Sequence, residues 1–263
     1  MVRVLTCALP RLWNQVAMCS KHSIKGDIVP GGDRGRADRL MRVVGPIGIV
    51  VLILIVTHGI IYPTYRYRYR LTVAVEIDGQ VHTGSSVIEV IWSGGPKIGD
   101  MGPYRPSIRG QAVYLDLKAD GVVVAALGNG ESYGDASDGA VNALWLAARA
   151  FGNKSTIAEL PQLPRLRGRR DLAPTNMPRL IWFTNPANPK TACKFALNDV
   201  PSLFGSSARL TVAYVEITDD PIVVDIDKRF SWFGLLNRPL ADGVIQISYG
   251  FSLAKHMFVG DAS

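Results

Sequence analysis

The chain is poor in cysteine, in histidine and in charged residues. Its 263 residues include three cysteines and four histidines, and 19% of them are charged. Cys7, Cys19 and Cys193 cannot form a disulfide scaffold, and no CxxC or Cys/His spacing indicates structural zinc. A hydrophobic fraction of 48% argues against a disordered chain. The composition therefore excludes a small disulfide-rich domain, a zinc-finger module and an intrinsically disordered protein.

The sequence also lacks the common motifs of enzymes and cofactor-binding proteins. No GxxxxGK[ST] motif occurs, and no GxGxxG precedes a helical pattern, so nucleotide binding has no support. The acidic residues Asp219, Asp220, Asp225 and Asp227 do not follow the EF-hand pattern. His82 lies near Ser85 and Ser86, but no GxSxG elbow accompanies them. We therefore expect no catalytic residue, no cofactor and no metal site.

One long apolar run stands out against this background. Residues 43–62 contain no Lys, Arg, Asp or Glu. A helix of this length spans about 30 Å, the thickness of the bilayer hydrocarbon. The alternative is a buried core helix, which would normally carry a polar stripe, and residues 49–56 have none. The run predicts a single transmembrane helix that contacts the lipid bilayer.

The run ends in the segment YPTYRYRYR, which is rich in tyrosine and arginine. Tyrosine is enriched at the headgroup level of membranes, where arginine can pair with lipid phosphates. This predicts that Tyr62, Tyr65 and Arg66 lie at the membrane interface. The strict alternation of the same segment allows a second interpretation, in which the tyrosines pack inside a β-sheet.

The amino-terminal residues are basic and their status is open. Residues 1–40 hold seven basic and three acidic residues, and Met41 stands directly before Arg42 and the apolar run. We expect residues 1–42 to be a basic tail, of which residues 1–40 are a mis-assigned start or a disordered segment. The alternative is a genuine cytoplasmic segment with an amphipathic patch at Pro10–Met18 that lies on the inner membrane surface. No small-x-small cleavage site follows the apolar run, which favours an uncleaved signal anchor.

The charge distribution predicts the orientation of the anchor. Four arginines precede the run in residues 28–42, and three follow it in residues 63–82. This positive-inside bias places residues 63–263 outside the cytoplasm, which is the periplasm for a bacterial inner membrane. Residues 63–263 hold 21 basic and 19 acidic residues. A folded part so close to neutral gives no support for binding nucleic acid.

A β-hairpin is predicted directly after the apolar run. Residues 65–77 alternate between apolar and polar side chains, Asp78-Gly79 is a type I′ turn pair, and a second extended run continues to Trp92. A two-residue turn places Tyr69 opposite Ile88 and Arg68 opposite Glu89. Apolar side chains then face apolar ones, and opposite charges meet on the other face.

The remaining pattern predicts an α+β fold: a β-rich extramembrane domain over residues 63–263, with hairpins and one or two helices. The Pro-rich residues 153–179 are expected to form a long irregular surface segment. Cys193 is expected to be a small buried side chain. The other expected elements are a hairpin from Ile108–Leu117 and Gly121–Leu127, a helix at Asp138–Phe151, short strands at Leu180–Thr184 and Cys193–Ala196, a helical turn at Asn198–Phe204, a central strand at Ala208–Ile217, a helix at Ile226–Leu236 and a strand at Gly243–Leu253.

Three segments carry a resemblance to other proteins. They are LTVAVEIDGQVHTGSSVIEVIW (71–92), IWFTNPANP (181–189) and FGSSARLTVAYVEITDDPI (204–222). Their order resembles an uncharacterised group of bacterial single-pass proteins that are anchored in the inner membrane and carry a β-rich outer domain. The resemblance implies that location and architecture. It implies no activity and no functional residue.

The sharpest charge cluster is RLRGRR, with Arg165, Arg167, Arg169 and Arg170. It is either a solvated loop or a contact for an anionic partner, which is a lipid headgroup, an acidic protein of the envelope or a glycan phosphate. We therefore expect a single-pass envelope protein whose non-catalytic β-rich domain binds or positions a partner. The alternative is a membrane-anchored periplasmic hydrolase with its site near the loop 128–139.

Overall fold

The computed structural model describes residues 48–53, 55–97, 99, 102–128, 140–237, 243–248 and 251–260. The chain divides into two compact units, Met1–Ile53 and Leu54–Ser263. Residues 48–53 and 55–61 are helical and expose their apolar side chains. The predicted tail, residues 43–47 of the predicted span and the loop residues 129–139 lie outside the described residues. In the described part of the chain, no helix is both long enough and apolar enough to cross a membrane.

The described residues form an α+β fold that is rich in β-structure, as the sequence predicts. Three α-helices are described after the helical residues 55–61: α1 (Ala143–Ala150), α2 (Val200–Phe204) and α3 (Ile226–Arg229). The strands are β1 (Thr64–Ile77), β2 (Gln80–Gly94), β3 (Tyr104–Gly110), β4 (Val113–Asp116), β5 (Val122–Ala125), β6 (Arg169–Asp171), β7 (Leu180–Phe183), β8 (Ala192–Phe195), β9 (Arg209–Ile217), β10 (Val244–Ser248) and β11 (Phe251–Ala254).

The predicted β1–β2 hairpin is confirmed together with its register. Tyr69 pairs with Ile88 and Arg68 pairs with Glu89. Asp78 and Gly79 both have positive φ, 49° and 78°, as a type I′ turn requires. Alternate side chains of β1 from Tyr67 to Ile77 are buried, so this face of the strand packs in the protein core.

Two antiparallel sheets pack against each other. The larger sheet has the order β3-β2-β1-β9-β6, and the second has the order β4-β5-β7-β8. The core between them includes fully buried side chains from both sheets, such as Tyr69, Ile88, Leu115 and Phe183. β10 and β11 form a separate antiparallel pair.

The predicted strand Ile108–Leu117 is divided between the two sheets. β3 pairs with β2, whereas β4 pairs with β5. The break follows Gly110, which has φ +123° and approaches the β2 backbone so closely that a Cβ would lie 2.5 Å from the Val87 carbonyl oxygen. Glycine permits both the turn and the close approach, and the chain then crosses to the second sheet.

The prediction of an irregular surface segment for residues 153–179 is wrong in part. Residues Ile157–Arg165 form a 3₁₀ helix that buries Leu160 and Leu163 completely. Residues Arg169–Asp171 pair with β9 as the edge strand β6. The segment therefore contributes to the core and to the larger sheet.

Other predicted elements are confirmed with different limits. The helix begins at Ala143, because the Asn142 side chain accepts a hydrogen bond from Leu144 N (2.9 Å). The predicted helix Ile226–Leu236 is interrupted after α3, because Phe230 and Trp232 turn inward and pack with ring centroids 4.9 Å apart. The closing strand is two strands, β10 and β11. Cys193 is exposed, so the expectation of a buried thiol is wrong.

Candidate functional site

The first candidate site is the edge of β9. β9 was predicted to be central, and β1 does flank it along most of its length. On its other side β6 pairs only with Tyr214–Glu216, and Leu172 N adds one hydrogen bond to the Ala213 carbonyl (2.8 Å). No described strand pairs with residues 209–212 on that side. This part of β9 is an open strand edge, which can accept a further strand.

A groove of about 560 Å³ runs along this edge. Its walls combine the β9 edge with apolar side chains from three other segments, including Leu172, Met177 and Val200. It adjoins a second cavity of about 300 Å³, because Pro174, Met177 and Leu197 line both. We call this combined depression the β9 groove. A groove with apolar side chains beside an open strand edge has the geometry that binds extended peptides elsewhere in proteins.

The structure separates the four arginines of RLRGRR, which are all exposed. Arg169 lies in β6 and lines the β9 groove, with its guanidinium carbon 3.4 Å from the centroid of the Tyr214 ring. Arg170 points to the opposite face of the strand and lies 5.1 Å from the Phe151 ring. Arg165 and Arg167 precede the strand, and Arg167 donates to the backbone carbonyls of Pro164 and Leu166. Only Arg169 is therefore part of the groove.

The residues predicted for the membrane interface lie at the start of the domain. Tyr62 follows the helical residues, and its N–H donates to the His58 carbonyl (2.9 Å). Tyr65 is half-buried, with its ring centroid 5.7 Å from that of Tyr104. Arg66 is exposed on the opposite face of β1, and its Nε lies 3.9 Å from a Glu89 carboxylate oxygen. Tyr65 thus packs at the end of the sheet, whereas Arg66 faces solvent.

The candidate hydrolase residues do not form a catalytic arrangement in the described part of the chain. His82 Nδ1 lies 3.0 Å from the Asp116 carbonyl oxygen. The Ser86 hydroxyl donates to the Gln111 carbonyl (2.7 Å). His82 and Ser86 are four residues apart on one strand, which separates them by about 13 Å. Ser85 lies on the opposite face of that strand. Residues 129–139, where the alternative site was predicted, lie outside the described residues.

Two carboxylates of the acidic cluster near residue 220 form ion pairs with arginines. Asp220 pairs with Arg70. Asp225 accepts hydrogen bonds from Arg229 (2.9 Å) and from the Gln111 side chain (2.8 Å), which lower the pKa of this carboxyl below its ordinary value. Within the residues that the structure describes, no group of three or more His, Cys, Asp or Glu side chains is arranged to hold a metal ion.

Sequence reasoning missed the β9 groove. The strand itself was predicted, but the pattern of its side chains does not reveal how much of its edge is covered. The edge of β9 is covered only in part by the tripeptide Arg169–Asp171. This tripeptide is too short to be recognised as a strand from its sequence.

No protein-family model matches the chain, and neither the curated proteins nor the solved structures include one that is similar to it. The resemblance to the uncharacterised inner-membrane-anchored proteins therefore stays a prediction.

Proposed function

We propose that the chain is a single-pass envelope protein of the bacterial inner membrane, with a periplasmic, non-catalytic β-rich domain that binds an extended segment of a partner protein. The observation that carries this proposal is the open edge of β9, which lies in a groove lined by both polar and apolar side chains. A bound strand would satisfy the backbone groups of residues 209–212, and the groove would accept its alternate side chains.

The anchor is supported by the apolar helical residues before the domain. Nine large hydrophobic side chains are more than 45% exposed in residues 48–61, including Ile49, Ile55 and Ile60. A soluble protein rarely exposes so continuous an apolar surface, because water penalises it. A lipid environment would cover these side chains. The charge bias before the helix supports the periplasmic orientation of the domain.

Site-specific photocrosslinking in native membranes tests the groove. A photoreactive residue replaces Thr211, which is exposed in the open edge, and in a second protein it replaces Val81, which is exposed on β2 of the same sheet. We expect a discrete crosslinked protein from position 211 and none from position 81. The variant Asn198→Trp, which fills the groove from its rim, should reduce that product at least fivefold.

Equal crosslinking from both positions would contradict a specific site, and so would a product that Asn198→Trp does not reduce. Alkaline extraction of native membranes tests the anchor separately. The chain should stay in the membrane pellet, and its release into the supernatant would contradict a transmembrane anchor.

A further inference from the structure

A second charged surface lies on the outer face of the larger sheet, where β1 begins. Cross-strand neighbours point their side chains to the same face. The pairing of β1, β2 and β3 therefore creates three adjacent rows of outward side chains. The rows are Thr64–Ser93–Arg105, Arg66–Ile91–Ser107 and Arg68–Glu89–Arg109.

Glu89 organises the arginines in these rows. Arg68 Nε donates to Glu89 Oε1 at 2.8 Å, Arg109 Nη1 lies 3.7 Å from Oε2, and Arg66 Nε lies 3.9 Å from Oε1. The Glu89 side chain is only 1% exposed, whereas the side chains of Arg66, Arg68 and Arg109 are 54%, 35% and 37% exposed. One buried carboxylate thus holds three guanidinium groups together at the surface.

These rows carry an excess of positive charge. They contain four arginines and a single carboxylate. The charge of the next arginine along β1 is compensated, because Arg70 pairs with both Glu216 (3.7 Å) and Asp220. At the far end of β1, Arg209 is paired with Glu76 (2.8 Å). The excess is therefore concentrated at one end of the face. We call Arg66, Arg68, Arg105 and Arg109 the arginine patch.

The patch lies at the end of the sheet that follows the apolar helix. β1 starts two residues after Tyr62. Gly94 N donates to the Pro63 carbonyl (3.2 Å), so the end of β2 lies beside the start of β1. At about 3.3 Å per residue, Arg66 and Arg68 lie about 7 and 13 Å along the strand from Thr64. The headgroup layer is about 5–7 Å thick on each side of the bilayer, and electrostatic attraction extends about 8 Å further at physiological salt.

We propose that the arginine patch binds the phosphate groups of anionic phospholipids in the membrane that holds the apolar helix. Guanidinium groups form paired hydrogen bonds with phosphate oxygens, and three of them are held close together here. Glu89 acts as a positioning residue, because it reduces the repulsion among the arginines and still leaves most of their positive charge uncompensated. The proposal rests on the proposed membrane anchor, and it names the lipid class that the domain contacts.

The test is a lipid titration of the full chain in a neutral detergent. The probe is a short-chain phosphatidylglycerol, and a short-chain phosphatidylcholine and inorganic phosphate are titrated in parallel. The variant Arg66→Gln/Arg105→Gln removes two charges and leaves both contacts of Arg68 and Arg109 with Glu89 intact. The matched control Arg165→Gln/Arg167→Gln removes the same charge from the predicted basic cluster, which lies away from the patch in sequence.

Each arginine near an anionic lipid surface strengthens binding roughly fivefold, so the patch variant should bind phosphatidylglycerol about 25-fold more weakly. The Arg165/Arg167 control should bind within about twofold of the native chain. Arg66→Lys/Arg105→Lys should bind phosphatidylglycerol more tightly than the patch variant, because it retains the charge, and more weakly than the native chain, because lysine cannot form the paired hydrogen bonds of a guanidinium group. Binding should also weaken strongly at about 1 M salt, where the Debye length is about 3 Å. Hydrogen exchange in residues 104–110 should slow when phosphatidylglycerol binds.

Three results would overturn the proposal. They are unchanged affinity in the patch variant, an equal loss in the Arg165/Arg167 control, and equal affinity for phosphatidylglycerol and inorganic phosphate. The titration is done in detergent, so it does not depend on the helix crossing a membrane. Failure of the anchor would instead appear as release by alkaline extraction, which distinguishes the two failures.

Discussion

At the scale of single residues, Tyr67 and Tyr69 join the hairpin to α1. Their hydroxyl groups donate to the carbonyl oxygens of Leu144 (3.0 Å) and Ala143 (2.7 Å), and both rings are buried. The alternation of the segment predicted that these rings could pack in a sheet. It did not indicate their hydrogen-bond partners, which lie more than 70 residues away in the chain. Each phenol thus buries a ring and satisfies its polar atom.

Replacing both tyrosines by phenylalanine should change the response of the protein to alkaline pH. Burial raises the pKa of Tyr67 and Tyr69 above the ordinary value of 10.0, and each hydroxyl therefore stays protonated in the folded protein. The unfolded chain ionises above about pH 10, so stability is complete below that pH and is lost as the pH rises further. Tyr67→Phe/Tyr69→Phe should cost about 1 kcal/mol per hydroxyl near pH 7, because each hydrogen bond is lost.

Urea unfolding of the full chain in mild detergent, followed by tryptophan fluorescence, measures both effects. The free energy of unfolding should fall less steeply above about pH 10 in the double variant than in the native chain. If the free energy of unfolding falls equally steeply with pH in the two proteins, the buried phenols do not contribute to alkaline unfolding.

At the scale of elements, the two sheets are in backbone contact at Gly84 of β2. A Cβ at this position would lie 2.4 Å from the Tyr114 carbonyl oxygen and 3.0 Å from Leu115 Cγ, both in β4. Most sheet packing leaves room for side chains from both faces. Here the glycine lets the two backbones approach more closely than any side chain would allow, and it fixes how β4 sits on β2.

Gly84→Ala should therefore destabilise the domain by roughly 1–3 kcal/mol, because the added methyl group forces the two strands apart. Gly234→Ala is the matched control, since a Cβ at Gly234 has no neighbour within 4 Å and its φ is not in the left-handed region. The free energy of unfolding of the control should lie within about 0.5 kcal/mol of that of the native chain. The same urea titration measures both variants, and equal stability of the two would contradict the close approach.

The elements show which parts of the fold can be predicted from the sequence. The β1–β2 hairpin was predicted with its register, because the Asp-Gly turn and the alternation act locally. The division of residues 108–117 at Gly110, and the pairing of Arg169–Asp171 with β9, depend on partners distant in the chain. The candidate site could not be predicted for the same reason. The β9 groove exists only because β6, which is distant in the chain, is too short to cover the whole edge of β9. Leu160 and Leu163 were missed because they lie among prolines in a segment without clear periodicity.

At the scale of the whole molecule, the charge is distributed unevenly along the chain. Residues 1–40 hold seven basic and three acidic residues, and Arg42 follows, whereas residues 63–263 are almost neutral. Basic residues are retained on the cytoplasmic side of membranes. This asymmetry supports the proposed orientation, and it separates the overall charge of +7 from any function of the folded domain.

Cys193 offers a direct test of that orientation, because it lies exposed on β8. In the variant Cys7→Ser/Cys19→Ser it is the single thiol of the chain. A membrane-impermeant maleimide should label this variant in cells whose outer membrane has been permeabilised, because the proposed orientation places the domain in the periplasm. The converse variant Cys19→Ser/Cys193→Ser keeps only Cys7 and should be labelled only after the inner membrane is opened. Labelling of Cys193 in detergent is the control, because it shows that the thiol can react. If Cys193 is protected in the permeabilised cells and Cys7 is labelled there, the orientation is the opposite of the one proposed.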